Sequence, residues 1–343
     1  MNETDSFLGN NKMSETDSPT FERSDPWTQL WGRTVRPSWD LLGDDPVALA
    51  LREHWQVQSA WISDRSHVVD IGSGPAVLAR LTQALETSRN GARRISQWTC
   101  VDQALIPMSS LSDLVGVVGE FGSPWEAMPA PATGADALVS NFGLEYVSRD
   151  HLGRTCASWL AVGGRLHAIL HARDSVIDQQ SALGLVDLDL ILDEMNFPWH
   201  VAAVLEAKVT APADPLARMM HCVDVRDAFN DCVNRMKSRL EERAVRAGAL
   251  LEWLMLASDM VQTVSKVTLE ASLERLQTLC AAYDAERSRL TAMRSAALDQ
   301  SSLEALGRDL AHQGFVSIQL GSLHTSSGPA AWVLDALRSD GSP

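Results

Sequence analysis

Val68-Val69-Asp70-Ile71-Gly72-Ser73-Gly74-Pro75-Ala76 is the stretch on which the fold turns. A short apolar run, closed by an acid, delivers the chain to a turn with two glycines. The residues after it place Val77, Leu78, Leu81 and Leu85 at the spacing of one helix face, so Pro75–Glu86 reads as a helix. The unit is therefore strand, tight turn, helix. Glycine lets backbone approach a ligand where a Cβ would collide. The start of the helix offers free N–H groups and the positive end of a dipole. A dinucleotide fingerprint would need a third glycine where Val77 stands and an acid about 20 residues further on. Asp102, the next acid at a strand end, lies beyond that, which disfavours nicotinamide and flavin dinucleotides.

Outward from this unit the pattern keeps alternating. Trp98–Val101 reads as a second strand ending at Asp102, and Leu114–Val118 as a helix or the approach to a third strand. Ala135–Ser140 reads as a fourth strand, followed by Asn141. His151–Leu160 is helical, and Gly163-Gly164 turns the chain into a strand over Arg165–Leu170. Near the C-terminus Ser302–Ala311 is helical and Gly314 is placed to cap it. Phe315–Leu320 and Ala330–Leu337 then form an antiparallel hairpin. Strands alternating with helices predict an α/β fold: a Rossmann-like, seven-stranded, mostly parallel sheet with both faces covered and an antiparallel C-terminal hairpin.

The flanks differ in composition. Residues 1–24 are polar and predict a disordered tail. Residues 25–65 carry Trp27, Trp31, Trp39, Trp55 and Trp61 among leucines, and Asp45-Pro46 marks a helix start. Two or three helices packed on the following domain are expected there. Residues 176–300 predict a large helical insertion. Within it Leu269, Leu276, Tyr283, Leu290 and Ala297 recur every seventh residue, but the alternate seam of Ser272, Leu279, Glu286 and Met293 is only half apolar. Long helices packed on their own domain, or a homodimer through this block, are the two expectations.

The chemistry of the whole chain narrows the choice further. Five scattered cysteines with no CxxC pair predict neither zinc nor a disulfide framework, and a reducing cytoplasm. No apolar run approaches the length of a membrane span, and the N-terminus lacks the basic start and apolar run of a secretory signal. A formal net charge of −15 disfavours nucleic acid as partner, because phosphate binding needs a basic face.

The segment from Val68 to Ala76 resembles motif I of the class I S-adenosylmethionine-dependent methyltransferases, with Asp70, Gly72 and Gly74 on the motif and Ala76 where a third glycine is common. Asp136-Ala137-Leu138-Val139-Ser140-Asn141-Phe142-Gly143-Leu144-Glu145-Tyr146 is similar to motif IV. Gly163-Gly164 and the terminal hairpin extend the resemblance over 66–175 and 301–338, the expected catalytic core. The family usually shows an acid beside the adenine and then Leu-Pro. Here Ser123-Pro124-Trp125-Glu126-Ala127-Met128-Pro129 departs from that pattern, keeping only Met128-Pro129. The resemblance implies S-adenosylmethionine as cofactor, held by Asp70, Gly72, Ser73, Gly74, Asp102 on the ribose, Asn141, and Trp125 and Glu126 at the adenine. Trp125 as simple core packing is the equal alternative.

Methyl transfer is an in-line displacement that gains most from alignment. A base is needed only where the acceptor must lose a proton. His171, Glu145 and Tyr146 are the candidates at the strand exits, with His151 and His200 behind them, while His167 reads as a packed core residue. Asn141 lacks the following prolines of the nucleic-acid amino-methylating pattern, which favours a small-molecule or carrier-bound acceptor. The insertion and the Trp-rich N-terminal segment are expected to cover that acceptor, with Phe197-Pro198-Trp199-His200 as a lid. A protein methyltransferase drawing a basic partner to the acidic run Asp187–Glu194, and a non-catalytic partner subunit, are the alternatives.

Overall fold

The computed structural model describes residues 26–33, 43–88, 95, 97–214, 217, 220–242 and 248–340. The tail expected over 1–24, and Trp39, lie outside the described residues.

Seven strands form one sheet: β1 (His67–Ile71), β2 (Gln97–Asp102), β3 (Val117–Phe121), β4 (Ala135–Asn141), β5 (Leu160–His171), β6 (Phe315–Thr325) and β7 (Gly328–Arg338). Their order is β3-β2-β1-β4-β5-β7-β6. The first five are parallel, and β7 pairs antiparallel with both β5 and β6. This is the architecture that the resemblance to the class I methyltransferases implies. Val68 faces one core and Val69 the other, so β1 is buried on both sides. That double burial is why its sequence is continuously apolar.

The helices are α1 (Pro26–Arg33), α2 (Pro46–Ile62), α3 (Val77–Ser88), α4 (Arg149–Trp159), α5 (Val176–Asp189), α6 (Phe197–Thr210), α7 (Val223–Glu241), α8 (Ala249–Thr263), α9 (Leu269–Ala296) and α10 (Gln300–His312). Asp45 caps α2 by accepting the Val47 and Ala48 N–H groups at 2.9 and 3.0 Å, with Pro46 in the first turn. Gly314, at φ +86°, follows α10. Leu152, Trp159, Leu303 and Leu310 of α4 and α10 cover one face of the sheet. Leu51, Trp55 and Leu78 of α2 and α3, together with the insertion, belong to the opposite core.

Two boundaries differ from the sequence reading. Gly163-Gly164 is no turn: β5 runs through both residues, and Gly163 at φ +78° lies where the register with β4 shifts between Ala135 and Ala137. A bulge uses the same conformational freedom as a turn. Of the two expectations for Leu114–Val118 the approach to a strand holds and the helix does not: the third strand is Val117–Phe121. It lies at the sheet edge, where Gly119 and Glu120 interrupt the apolar run that would have marked it.

Between β5 and α10 the described chain is helical, with a π-turn at Leu190–Glu194. Its two ends meet: Ala172 bridges Leu298, and Leu298 N–H donates to His171 O at 2.8 Å. Leu276, Tyr283, Leu290 and Met293 of α9 are buried in a core shared with residues of α5, α6 and α8. The seven-residue seam is thus covered within one chain. The acidic run is also engaged: Asp189 and Asp193 pair with Arg287, Glu194 with Arg235, and Asp187 is buried. Among the described residues no helix is long and apolar enough to cross a membrane.

Candidate functional site

The strand order reverses between β1 and β4, and open α/β sheets bind ligands at such a switch point, outside the strands' C-terminal ends. The loops leaving β1 and β4 touch there. A Cβ on Gly72 would lie 2.5 Å from Gly143 Cα, so both positions are closed to side chains. Gly72 and Gly74 are left-handed, at φ +64° and +50°. Ser140 locks the two loops together: its hydroxyl donates to Ile71 O at 2.7 Å and accepts the Gly143 and Leu144 N–H groups. Asp102 braces the turn from the other side, its two oxygens accepting the Gly74 and Ala104 N–H groups at 2.9 Å each.

A cleft of about 720 Å³, counted with its open mouth, lies over this turn. Asp70, Gly72, Ser73, Gly74, Asp102, Asn141 and Tyr146 of the sequence-derived set line it. Asn141 is held in place by the Trp55 indole, which donates to its Oδ1 at 2.9 Å. Asp70 is 1% exposed, and neither carboxylate oxygen has a hydrogen-bond partner. Burial, then the charge of Asp102, push its pKa well above the ordinary carboxylate range; the Trp98 indole, nearby but in no hydrogen bond, pulls weakly the other way. A buried acceptor left without a donor is costly, and such exceptions call for a ligand or another specific cause.

The roof of the cleft is α1, part of the Trp-rich N-terminal segment expected to cover the substrate. Trp31 lies over the glycine turn, its ring 3.0 Å from where a Cβ of Gly74 would stand. Trp27 packs near-parallel to Trp31 with centroids 6.1 Å apart and meets Tyr146 edge-on at 5.7 Å. The Arg289 guanidinium of α9 sits 5.6 Å from the Trp27 ring. Thr28 Oγ1 accepts the Leu105 N–H at 2.9 Å, tying α1 to the loop after Asp102. The available signal was the spacing of Trp27 and Trp31, one helical turn apart just after Pro26, which puts both rings on one face.

Other expected residues fall elsewhere. Trp125 does not line the cleft; it is buried in the opposite core and packs against Trp159 at 5.5 Å. Glu126 beside it is exposed. The adenine assignment of both is withdrawn: the segment after β3 is a short 3-10 turn that buries Trp125 against the sheet's other face. His171 and Glu145 lie behind the lining. His171 stacks on Phe142 at 4.4 Å and is 3% exposed; burial, then the charge of Arg289, lower its pKa to about 3. Glu145 accepts the His171 backbone N–H at 2.8 Å, and burial raises its pKa to about 7. Tyr146 alone of the three catalytic candidates reaches the cleft. His151 is exposed on α4. His167 is a core residue, as read, between Asp335 at 2.7 Å and His54 at 2.9 Å. Phe197 is fully buried against Phe229 and Trp253 inside the insertion, so its segment forms no lid over the cleft.

No family model and no curated protein matches the chain. Solved structures do. A chain in the complex of a Haloferax volcanii methyltransferase activator with a methyltransferase is 17% identical over 39% of this chain and 64% of its own, with a TM-score of 0.29. Burkholderia thailandensis 1,6-didemethyltoxoflavin-N1-methyltransferase is 10% identical over 85% and 79%, with a TM-score of 0.39. Human N-acetylserotonin methyltransferase is 12% identical over 93% and 64%, with a TM-score of 0.37. The matches span 64% of the Haloferax volcanii chain and 54% of a Mesorhizobium loti S-adenosylmethionine-dependent methyltransferase.

Proposed function

We propose that this chain binds S-adenosylmethionine in the cleft over Gly72-Ser73-Gly74 and transfers its methyl group to a small-molecule or carrier-bound acceptor. The observation that carries the reading is the unpartnered Asp70 carboxylate, buried beside a glycine turn at the sheet's switch point. The donor set fits the cofactor. Its sulfonium and ammonium are cationic, and the lining holds Asp70 and Asp102 but, among the described residues, no Lys, Arg or His. Bound there, the cofactor supplies an electrophilic methyl group.

The chain's own residues then have separate tasks. Asp70 accepts hydrogen bonds from the ammonium, which offsets its burial and returns it to the ionised form. Asp102 holds the turn by accepting the Gly74 and Ala104 N–H groups and lines the cleft where the ribose hydroxyls would lie, so one side chain both shapes the cradle and faces the ligand. Ser140 fixes β4's exit against β1's, setting the distance between donor and acceptor sides. The Tyr146 phenol, its pKa pushed up by burial and the neighbouring Glu145, stays protonated and orients rather than abstracts. A soluble chain acting on a metabolite accords with this arrangement.

Calorimetry with S-adenosylhomocysteine tests the reading. Wild type should bind, and Gly72→Val should abolish binding because its side chain would collide with Gly143, with circular dichroism reporting whether the fold survives. Gly74→Val, whose Cβ would press on the Trp31 ring and whose φ of +50° strains any side chain, should weaken binding at least tenfold, with circular dichroism again reporting the fold. Equal binding by wild type and Gly74→Val would sink the assignment. A labelled-methyl screen of cell extract then sorts acceptors, and label appearing only in protein would replace the small-molecule reading.

A further inference from the structure

We infer that the acceptor is a flat aromatic molecule, neutral or cationic, and that α1 is the element that selects it; this rests on the methyl-transfer reading of the same cleft. Four of the lining residues are aromatic: Trp27, Trp31, Phe142 and Tyr146. They come from α1 and from the exit of β4; Trp27 and Tyr146 meet edge-on above the β4 exit, while Trp31 reaches over the glycine turn. Aromatic faces and edges recognise other rings through dispersion and quadrupole alignment, and attract cations through their negative faces.

The rings are set rather than loose. Trp27 is pinned by the edge contact with Tyr146 on one side and by Arg289 on another. Phe142 is pinned by its stack on His171. Thr28 fastens α1 to the Leu105 loop. Such preorganisation lowers the entropic cost of binding a rigid flat ligand. Two buried polar atoms of the wall have no partner, the Trp31 indole N–H and the Tyr146 hydroxyl. A ring bearing a heteroatom or hydroxyl would satisfy them; a bare hydrocarbon would not.

The charge pattern supplies the rejection. Arg289 lies against the wall, and the two arms of its guanidinium that face Glu286 are hydrogen-bonded to that carboxylate. Its charge is therefore already matched. With Asp70 and Asp102 in the lining and, among the described residues, no Lys, Arg or His there, an acceptor carboxylate or phosphate would meet like charge without a counterion.

The test uses the full chain and four matched probes: indole, tryptamine, indole-3-acetate and cyclohexylmethylamine. Affinities are measured by ligand-observed NMR titration, with and without saturating S-adenosylhomocysteine. Indole and tryptamine should bind at least tenfold more tightly than indole-3-acetate, and tryptamine tenfold more tightly than cyclohexylmethylamine. Trp27→Ala should remove that preference, whereas Trp27→Phe, which keeps a ring, should retain it. Indole-3-acetate binding as well as tryptamine, or cyclohexylmethylamine matching it, would overturn the proposal. So would a Trp27→Ala protein that keeps the ranking. The cofactor product is titrated separately: if it fails to bind while the probes still rank as expected, the methyl-transfer reading falls and the aromatic slot stands.

Discussion

The molecule has two aromatic segments that look alike in sequence and end differently. Phe197-Pro198-Trp199-His200 begins α6, and Pro26-Trp27 begins α1. The first turns Phe197 inward, where it stacks on Phe229 at 5.6 Å and meets Trp253 at 6.1 Å, which in turn contacts Tyr283, and leaves Trp199 exposed outside the cleft lining. The second keeps its rings at the cleft and leaves the Trp31 N–H unpaired. An aromatic segment serves as a wall for a ligand only where the fold offers its rings no complete set of internal neighbours. Sequence spacing does not reveal which case holds.

The largest expected effect separates the two segments. Phe197→Ala should leave a cavity in the insertion core and cost about 3–5 kcal/mol in urea unfolding. Its affinity for S-adenosylhomocysteine should stay within about threefold of wild type, roughly 0.6 kcal/mol on the scale where tenfold is about 1.4. Trp27→Ala should show the reverse balance, with a modest stability loss and lost ring selectivity. Should Phe197→Ala weaken ligand binding as strongly as it weakens the fold, the two segments would belong to one site and the contrast would be wrong.

What could be read from the sequence follows the same division. β1, β2, β4 and the C-terminal hairpin were legible because strands buried on both faces need unbroken apolar runs, and the glycine turn because close backbone contact excludes a Cβ. β3 was not, since an edge strand tolerates Gly119 and Glu120. The floor of the cleft, Asp70, Gly72, Gly74, Asp102 and Asn141, lies within or just after strands and inherits their legibility. Its roof does not. Trp27 reaches Tyr146 and Arg289 from 119 and 262 positions away, and nothing local to α1 encodes that docking. Trp125 failed for the same reason in reverse: nothing local to its segment encodes the packing of its ring on Trp159.

Buried acids repeat the contrast between sealed and open. Asp70 faces the cleft, where a ligand can satisfy it. Glu145 sits behind Phe142 and His171, and its pKa of about 7 reflects burial with one backbone donor. The sign follows from linkage. Unfolded, a glutamate loses its proton near 4.5; folded, Glu145 keeps it until about 7. The folded state therefore binds more protons between those values, and this residue's contribution to stability falls as pH rises through the window. Glu145→Gln keeps an acceptor for the His171 N–H and removes the titration. The variant should gain stability over wild type at pH 8, up to about 3 kcal/mol from the width of that window, and little at pH 4.5. His171 works in the opposite direction, since its pKa falls to about 3 and stability is lost as pH drops below 6.5. Thermal unfolding of both proteins from pH 4.5 to 8 isolates the glutamate. A difference that does not change with pH would mean that Glu145 is ionised throughout or reaches solvent, and that the wall behind Phe142 is not sealed.

The smallest expected effect concerns Ala76, the one place in the glycine motif where the chain carries a side chain at left-handed φ. Ala76 has φ +61° and is fully buried against the α2 and α3 core. A Cβ in that region costs roughly 1–2 kcal/mol relative to glycine. Ala76→Gly relieves that strain but frees the unfolded chain by about 0.4–1 kcal/mol and gives up one buried methyl group. These terms nearly cancel, leaving a change within about 1 kcal/mol of zero in urea unfolding. Ligand affinity should be unchanged, because Ala76 is not among the residues that line the cleft. A destabilisation beyond about 2 kcal/mol would show that the methyl group is an anchor between α3 and the sheet rather than a tolerated replacement for glycine. The floor of the cleft would then depend on packing behind the turn as well as on the backbone contact in front of it.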